Sequence, residues 1–336
     1  MSDYSGLTVA VTGADGFIGS HVVEALVHAG AKVRALALYN SFGTAGWLDE
    51  LAPDIRGSLE IQLGDVRDPH FMLDFVKGAD IVFHLAALIA IPYSYRTPQS
   101  YVDVNVTGTL NVLESARRAN VRRMIHTSTS EVYGTAQFTP ITERHPLQGQ
   151  SPYSASKIAA DHMVDAFARS FDLPAVILRP FNTFGPRQSE RAVIPTVIRQ
   201  ALDENCNEIR LGDLTPVRDF SYVTDVAAAF LAAGKSEALA YGSAYNAGSG
   251  VAVSVAEMIE TVRAVTGCNK PIVEDRSRLR PAKSEVYALV ASSEVFRRAS
   301  GWYPQMTLEN GIERTASWWR KRIAEGRIRS SADYLI

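Results

Sequence analysis

The sequence predicts an α/β chain built on a doubly wound parallel sheet, with a smaller, mainly C-terminal second region. Three observations lead there. Short runs rich in Val, Ile and Leu (LTVAVTG from Leu7, KVRALAL, ADIVFHLAA) lack polar alternation, as strands covered on both faces must. Segments with helical spacing lie between them, the βαβ order of a parallel sheet. After Pro180 the chain changes to loops rich in Pro, Gly and Arg with short helices.

The first unit is a strand ending at Gly13, a tight turn, and the helical run FIGSHVVEALVHAG closed by glycine. KVRALAL, SLEIQLGDV and ADIVFHLAA give three further strands. Tyr101–Asn120 carries apolar residues at helical spacing, RRMIHTSTS reads as a fifth strand, Ser151–Phe171 as a helix with Pro152 near its start, and PAVILRP as a sixth strand. SAYNAG at 243–248 is one more strand returning to the sheet. The expected division is a first unit over 1–180, with that returning strand, and a second unit over 181–336.

With 336 residues, 34 Lys+Arg, 36 Asp+Glu and a net charge of −2, the chain offers no broad field for nucleic acid or an anionic membrane. No run reaches the roughly 18 apolar residues of a membrane helix, and residues 1–7 lack a basic segment, so a cytoplasmic location is expected. Cys206 and Cys268 have no metal-type or disulfide-framework spacing, so no metal site is expected.

Gly13, Gly16 and Gly19, with Asp15, Phe17 and Ile18 between them, stand where the first strand meets the first helix. Backbone amides and the positive helix end can there approach a pyrophosphate that side chains would obstruct. A second pattern is Tyr153 and Lys157, four residues apart on one helical face. Lys157 can lower the phenol's pKa and hold a nicotinamide ribose, letting Tyr153 take a proton from a substrate hydroxyl as hydride leaves carbon.

The GxxGxxG turn, HLAA, Asn105, TSTSEVYG, YSASK, RPFNTFGPR, RDFSYVTD, YNAGSG and GWYPQMTLENGI occur in the order of extended short-chain dehydrogenases/reductases acting on nucleotide sugars, and the chain resembles that family over nearly its whole length. The resemblance implies a Rossmann-like fold, a tightly bound NAD or NADP, a dinucleotide-binding domain over 1–180 with the returning strand near 243–248, and a smaller, mainly C-terminal nucleotide-sugar-binding, that is substrate-binding, domain over 181–336. It places Asp65 and Val66 near the adenine, Leu85, Ala86 and Ala87 beneath the cofactor, and Asn40 and Ser41 beside the adenosine ribose. The carboxylate that commonly ends the second strand is missing from ALALYNS, which tips the balance slightly toward NADP while leaving NAD open.

Within the family, Thr129-Ser130-Glu131 resembles the triplet of sugar-nucleotide dehydratases and of UDP-glucuronate decarboxylases. It implies Glu131 as the base for the C5 proton, Ser130 as a donor or water-positioner, and Thr129 as a hydrogen-bond partner of the C4 oxygen. Asn182, Arg187, Arg218 and Arg280 lie in segments that close over the nucleotide diphosphate in resembling enzymes, and arginine's planar charged fork suits that task. The stretches YNSF with GWLD, and IPYSY, are similar to 4,6-dehydratases of legionaminic-acid-type pathways, which act on GDP- or UDP-N-acetylglucosamine. The expectation is a nucleotide-sugar 4,6-dehydratase. UDP-glucuronate decarboxylase and 4-epimerase are the enzymatic alternatives, and a dinucleotide-sensing scaffold is the non-enzymatic one. Resembling enzymes pair through the helices carrying Asn105 and Tyr153, so a homodimer is expected, with Ala159, Met163 and Phe167 as compatible residues. Trp302, Trp318 and Trp319 read as packing residues.

Overall fold

The computed structural model describes residues 3–278 and 286–328. Seven strands form the central sheet: β1 (Thr8–Thr12), β2 (Lys32–Leu38), β3 (Glu60–Gly64), β4 (Ile81–His84), β5 (Arg123–Thr127), β6 (Ala175–Pro180) and β7 (Ala244–Ala247). Their order is β7-β6-β5-β4-β1-β2-β3, and every pairing is parallel. This is the doubly wound, Rossmann-like arrangement read from the apolar runs, with β7 as the returning strand.

Within each run, alternate residues serve opposite faces. Val9, Val11, Ile81, Phe83, Val176 and Leu178 pack on one side with α1 (Phe17–His28) and the helix Val223–Lys235. Ala10, Val82, Met124 and Ile177 pack on the other with α2 (Pro69–Val76), α3 (Gly108–Arg118) and α4 (Pro152–Phe171). Covering both faces leaves no place for a polar residue at every second position, which is why the runs carry no alternation.

The chain after Pro180 builds its own apolar cluster from Phe184, Ile198, Tyr222, Met258, Ile312 and Trp319, against which Phe17 and Ile18 of α1 also pack. Besides β7 it adds strand pairings of two or three residues each: Asn182–Phe184 with Phe220–Tyr222, Ile209–Leu211 with Ile272–Glu274, and Val217–Arg218 between Val253–Ser254 and Ala288–Leu289. Such strands are too short to leave a periodic signal in the sequence.

The expected helix over Tyr101–Asn120 is three pieces: one turn at Pro98–Tyr101, a π-helical turn at Val102–Thr107, and α3. The wide turn carries the fully buried Asn105, whose side chain accepts from Leu88 N at 2.8 Å and donates to Leu88 O and to Ser156 Oγ at 2.9 Å each. One amide thus ties the loop after β4 to α4, and π turns commonly accompany such functional constraints. α4 begins with a capping box between Ser151 and Ser154 and ends at Asp172 with φ +52°. Phe167 lies in the chain's own core, so it is not available to a partner subunit. Among the described residues no helix is long and apolar enough to cross a membrane.

Candidate active site

Strand order reverses between β1 and β4, and open α/β sheets leave a crevice at such a switch point, beyond the carboxyl ends of the strands. A cleft of about 1140 Å³ lies there and runs from Asp15, Leu38 and Trp47 at one end to Asn182 and Gln188 at the other. It gathers Gly13, Asp15, Gly16, Phe17, Ile18, Gly19, Asp65, Val66, Leu85, Ala86, Ala87, Thr129, Ser130, Glu131, Tyr153, Lys157, Asn182 and Arg187 from the sequence reading. Those residues span 175 positions of sequence, from 13 to 187. Among the described residues no group of three or more His, Cys, Asp or Glu could hold a metal ion.

The three glycines do different work. Gly13 has φ +66°, and a Cβ there would sit 2.6 Å from Ala86 N. A side chain at Gly19 would run into the Gly13 carbonyl. Gly16 is exposed and has only Gly13 O near its would-be Cβ, at 3.3 Å, so its missing side chain is what opens the cleft toward α1. No side chain caps α1, whose first amides are left for an anion. Thr12 Oγ1 bonds to His84 Nδ1 at 2.8 Å and accepts from Ala86 N at 3.2 Å, which holds the small-residue loop under the cleft. This cradle, with its uncapped helix end, fits a dinucleotide.

Asn40 and Ser41 do not line the cleft. Asn40 is spent on its own loop: Nδ2 donates to Thr44 O at 2.7 Å and to Leu38 O at 3.2 Å, and Oδ1 accepts from Phe42 N at 3.1 Å. Ser41 is exposed. Asp65 faces the cleft but is gripped by Arg67, which the sequence reading did not single out, at 2.5 Å.

At the other end, Thr129 begins a single 3₁₀ turn, Ser130–Tyr133, and its hydroxyl accepts from Glu131 N at 3.2 Å. The same hydroxyl lies in hydrogen-bonding reach of the Tyr153 phenol. Burial pushes the Tyr153 pKa up, and Thr129 pulls it back, while the Glu131 charge adds to the rise. Lys157, one turn along α4 and buried, has its pKa lowered to about 8 by desolvation, against which the Asp161 carboxylate acts. Asp161 is itself buried and held by Arg179 at 2.9 Å. The cleft therefore has a phenol and an ammonium on one helical face, with a fixed counter-charge behind the ammonium.

Behind this network His126 is fully buried, 3.4 Å from Asp161, and its pKa is pushed down to about 4, chiefly by burial and then by Lys157. His21 is lowered to about 4 as well, first by burial and then by Arg187. The folded state keeps these rings neutral, so between about pH 6.5 and 4 the unfolded chain binds the extra protons. Their contribution is complete above pH 6.5 and is lost as pH falls through that window. For His126 alone it is about 3 kcal/mol. Calorimetry should show Tm falling from pH 7 to 4 and His126→Gln flattening part of that fall. An unchanged slope in the variant would contradict this account.

In the substrate half, Asn182 lines the cleft with its buried Oδ1 lacking a hydrogen-bond partner in the protein. Arg187, at φ +70°, lines the cleft but pairs with Glu24 of α1 at 2.6 Å. Arg218 does not reach the cleft lining. It is buried in the strand Val217–Arg218 and donates to the Val217 carbonyl at 3.1 Å. Arg280 lies outside the described residues.

Trp302 is a core residue, donating from Nε1 to Asp225 O at 2.8 Å. Trp318 and Trp319 belong to the helix Leu308–Ala324 and line the cleft while packing. With Trp47 and Arg322 they form a rim that the sequence reading missed. The Arg322 guanidinium lies 5.0 Å and 4.9 Å from the Trp47 and Trp318 ring centres and pairs with Glu50 at 2.6 Å.

Residues 10–315 match the family model described as GDP-mannose 4,6 dehydratase. A UDP-glucose 4-epimerase of Streptomyces lividans is 36% identical, covering 88% of this chain and 90% of its own. A dTDP-glucose 4,6-dehydratase of Xanthomonas campestris pv. campestris is 32% identical, covering 93% of each. Among solved structures, the dTDP-glucose 4,6-dehydratase DesIV of Streptomyces venezuelae, with NAD bound, superposes with a TM-score of 0.83 at 30% identity, covering 95% of this chain and 98% of its own.

Proposed function

Because the chain belongs to the GDP-mannose 4,6-dehydratase family of nucleotide-sugar dehydratases and epimerases, we propose that it is a nucleotide-sugar 4,6-dehydratase for a GDP- or UDP-N-acetylglucosamine type substrate. The observation that carries this reading is the presence of Glu131 in the same cleft as Thr129 and Tyr153. Epimerisation at C4 needs a base for the C4 hydroxyl alone. Dehydration needs a second one for C5.

A bound nicotinamide dinucleotide supplies the acceptor for the C4 hydride and the donor that returns it to C6. Tyr153 takes the C4 hydroxyl proton, and Thr129 holds that oxygen beside it. To take that proton Tyr153 enters the step as phenolate and leaves it as phenol; Lys157, whose charged form the Asp161 carboxylate favours, is the cation placed to stabilise that phenolate. Glu131 removes the C5 proton made acidic by the new C4 carbonyl and passes a proton, along a path positioned by Ser130, to the C6 hydroxyl, which departs as water; a solvent proton delivered through Glu131 then completes C5 as the hydride returns to C6. Asn182 Oδ1 and the uncapped start of α1 provide polar contacts at either end of the cleft. We assign the homodimer contact to the outer faces of the Asn105-bearing turn Val102–Thr107 with α3, and of α4, and the catalytic unit to residues 1–180 with β7, closed over by 181–336.

A second reading is a 4-epimerase, favoured by the Streptomyces lividans relative at 36% identity. The separating experiment is mass spectrometry after incubation with UDP-N-acetylglucosamine, GDP-N-acetylglucosamine, dTDP-glucose and UDP-glucuronate, without added cofactor. A loss of about 18 mass units from one hexose nucleotide is expected, because the hydride is returned within each turnover. A loss of about 44 units from UDP-glucuronate would make the enzyme a decarboxylase, and isomers of unchanged mass an epimerase.

A further inference from the structure

In Rossmann-type clefts an acidic residue near the end of the second strand binds the adenosine ribose and turns away a 2′-phosphate. Here β2 ends in Ala37, fully buried in the core, and Leu38, an exposed apolar residue. Asn40 is committed to its loop. The strand contributes no carboxylate to the cleft.

A carboxylate reaches that position from the glycine turn instead. Asp15 Oδ2 accepts from Leu38 N at 3.1 Å, which places the acid against the last residue of β2. Its main chain is fixed as well: Asp15 O accepts from Trp47 N at 3.0 Å, and Gly46, at φ +56°, packs so closely that a Cβ there would come within 2.7 Å of Asp15 O. Desolvation raises the Asp15 pKa, a burden that hydroxyl donors would relieve.

The arginines lining the cleft answer the complementary question, Lys157 being set beside Tyr153 and backed by Asp161. Arg67 faces Asp65, Arg187 faces Glu24, Arg322 faces Glu50, and Arg327 faces Glu325. Each cleft-lining arginine among the described residues already has a carboxylate partner. A 2′-phosphate placed beside Asp15 would meet a like charge with its candidate counter-charges taken.

We infer that Asp15 replaces the missing β2 carboxylate, accepts hydrogen bonds from the adenosine ribose hydroxyls, and makes this chain selective for NAD over NADP. This reverses the slight leaning toward NADP drawn from the sequence, and it rests on the dinucleotide reading of the cleft proposed above.

The test is calorimetric titration of the nucleotide-stripped protein with NAD and with NADP, independent of turnover. The wild type should bind NAD at least about 100-fold more tightly. Asp15→Asn keeps an acceptor for Leu38 N, and should weaken NAD binding roughly tenfold while bringing the two affinities to within about tenfold of each other. Asp15→Ser should do the same, and thermal melting of both variants establishes that they are folded. NADP binding as tight as NAD in the wild type, or folded variants that keep the full preference, would overturn the role of Asp15 and leave the enzyme reading intact. A wild type that binds neither dinucleotide would remove the cofactor reading and this inference with it.

Discussion

Replacing Tyr153 by Phe is expected to lower kcat by about 10³-fold, with dinucleotide affinity and thermal stability nearly unchanged. Tyr153 is buried, its phenol is in reach of the Thr129 hydroxyl, and its ring meets Tyr101 edge-on with centroids 6.2 Å apart. Phe preserves the ring contact and removes the one group placed to accept the C4 proton. The structural cost is a single hydrogen bond, about 1 kcal/mol. The raised pKa of Tyr153 sharpens the prediction: with Lys157 one turn away, burial still holds the phenol protonated through the neutral range, so the step depends on the positive charge that an oxidised nicotinamide would bring. Single-turnover rates with the best substrate check this. Retention of more than about a tenth of wild-type kcat would mean that another group takes the proton.

The contrast with Lys157→Met is informative. Lys157 is expected to serve both the phenol and the cofactor ribose, so its loss should lower dinucleotide affinity as well as kcat. The two variants therefore separate proton transfer from binding on adjacent turns of α4.

The sheet was legible because burial on both faces leaves long apolar runs, and all six strands read from the N-terminal half are present, as is the returning strand at 244–247. The glycine turn, HLAA, the Thr129–Glu131 triplet and the Tyr153–Lys157 pair could be found because each is local in sequence and chemically distinctive. What could not be read depends on where side chains go after the chain has folded. Asn40 looks like a ribose ligand until its amide is seen closing its own loop, and Arg218 looks like a phosphate ligand until its strand is seen between two others. The pairing of Arg322 with Glu50 crosses 272 positions, so no sequence window contains it. Asp15 was legible as a turn residue. Its place at the end of β2 follows only from the bond to Leu38 N.

Glu131→Gln should separate the two chemistries that this fold supports. The variant keeps the side chain's size, and its backbone N–H can still donate to Thr129 Oγ1, so the 3₁₀ turn and the Tyr153 contact should survive. It lacks a group able to take a proton from C5. For a dehydratase, formation of the product lighter by about 18 mass units should fall about 10³-fold, and so should deuterium incorporation at C5 in heavy water. Oxidation at C4 does not need Glu131, so substrate should leave the variant's nicotinamide reduced, visible in its near-ultraviolet absorbance. For a 4-epimerase, the proton at C5 is never touched, and the same substitution should leave kcat within a few-fold of wild type. Loss of dehydration with C4 oxidation intact would assign the base to Glu131. Unimpaired dehydration in the variant would remove Glu131 from the mechanism and move the base to another carboxylate of the cleft lining, such as Glu190.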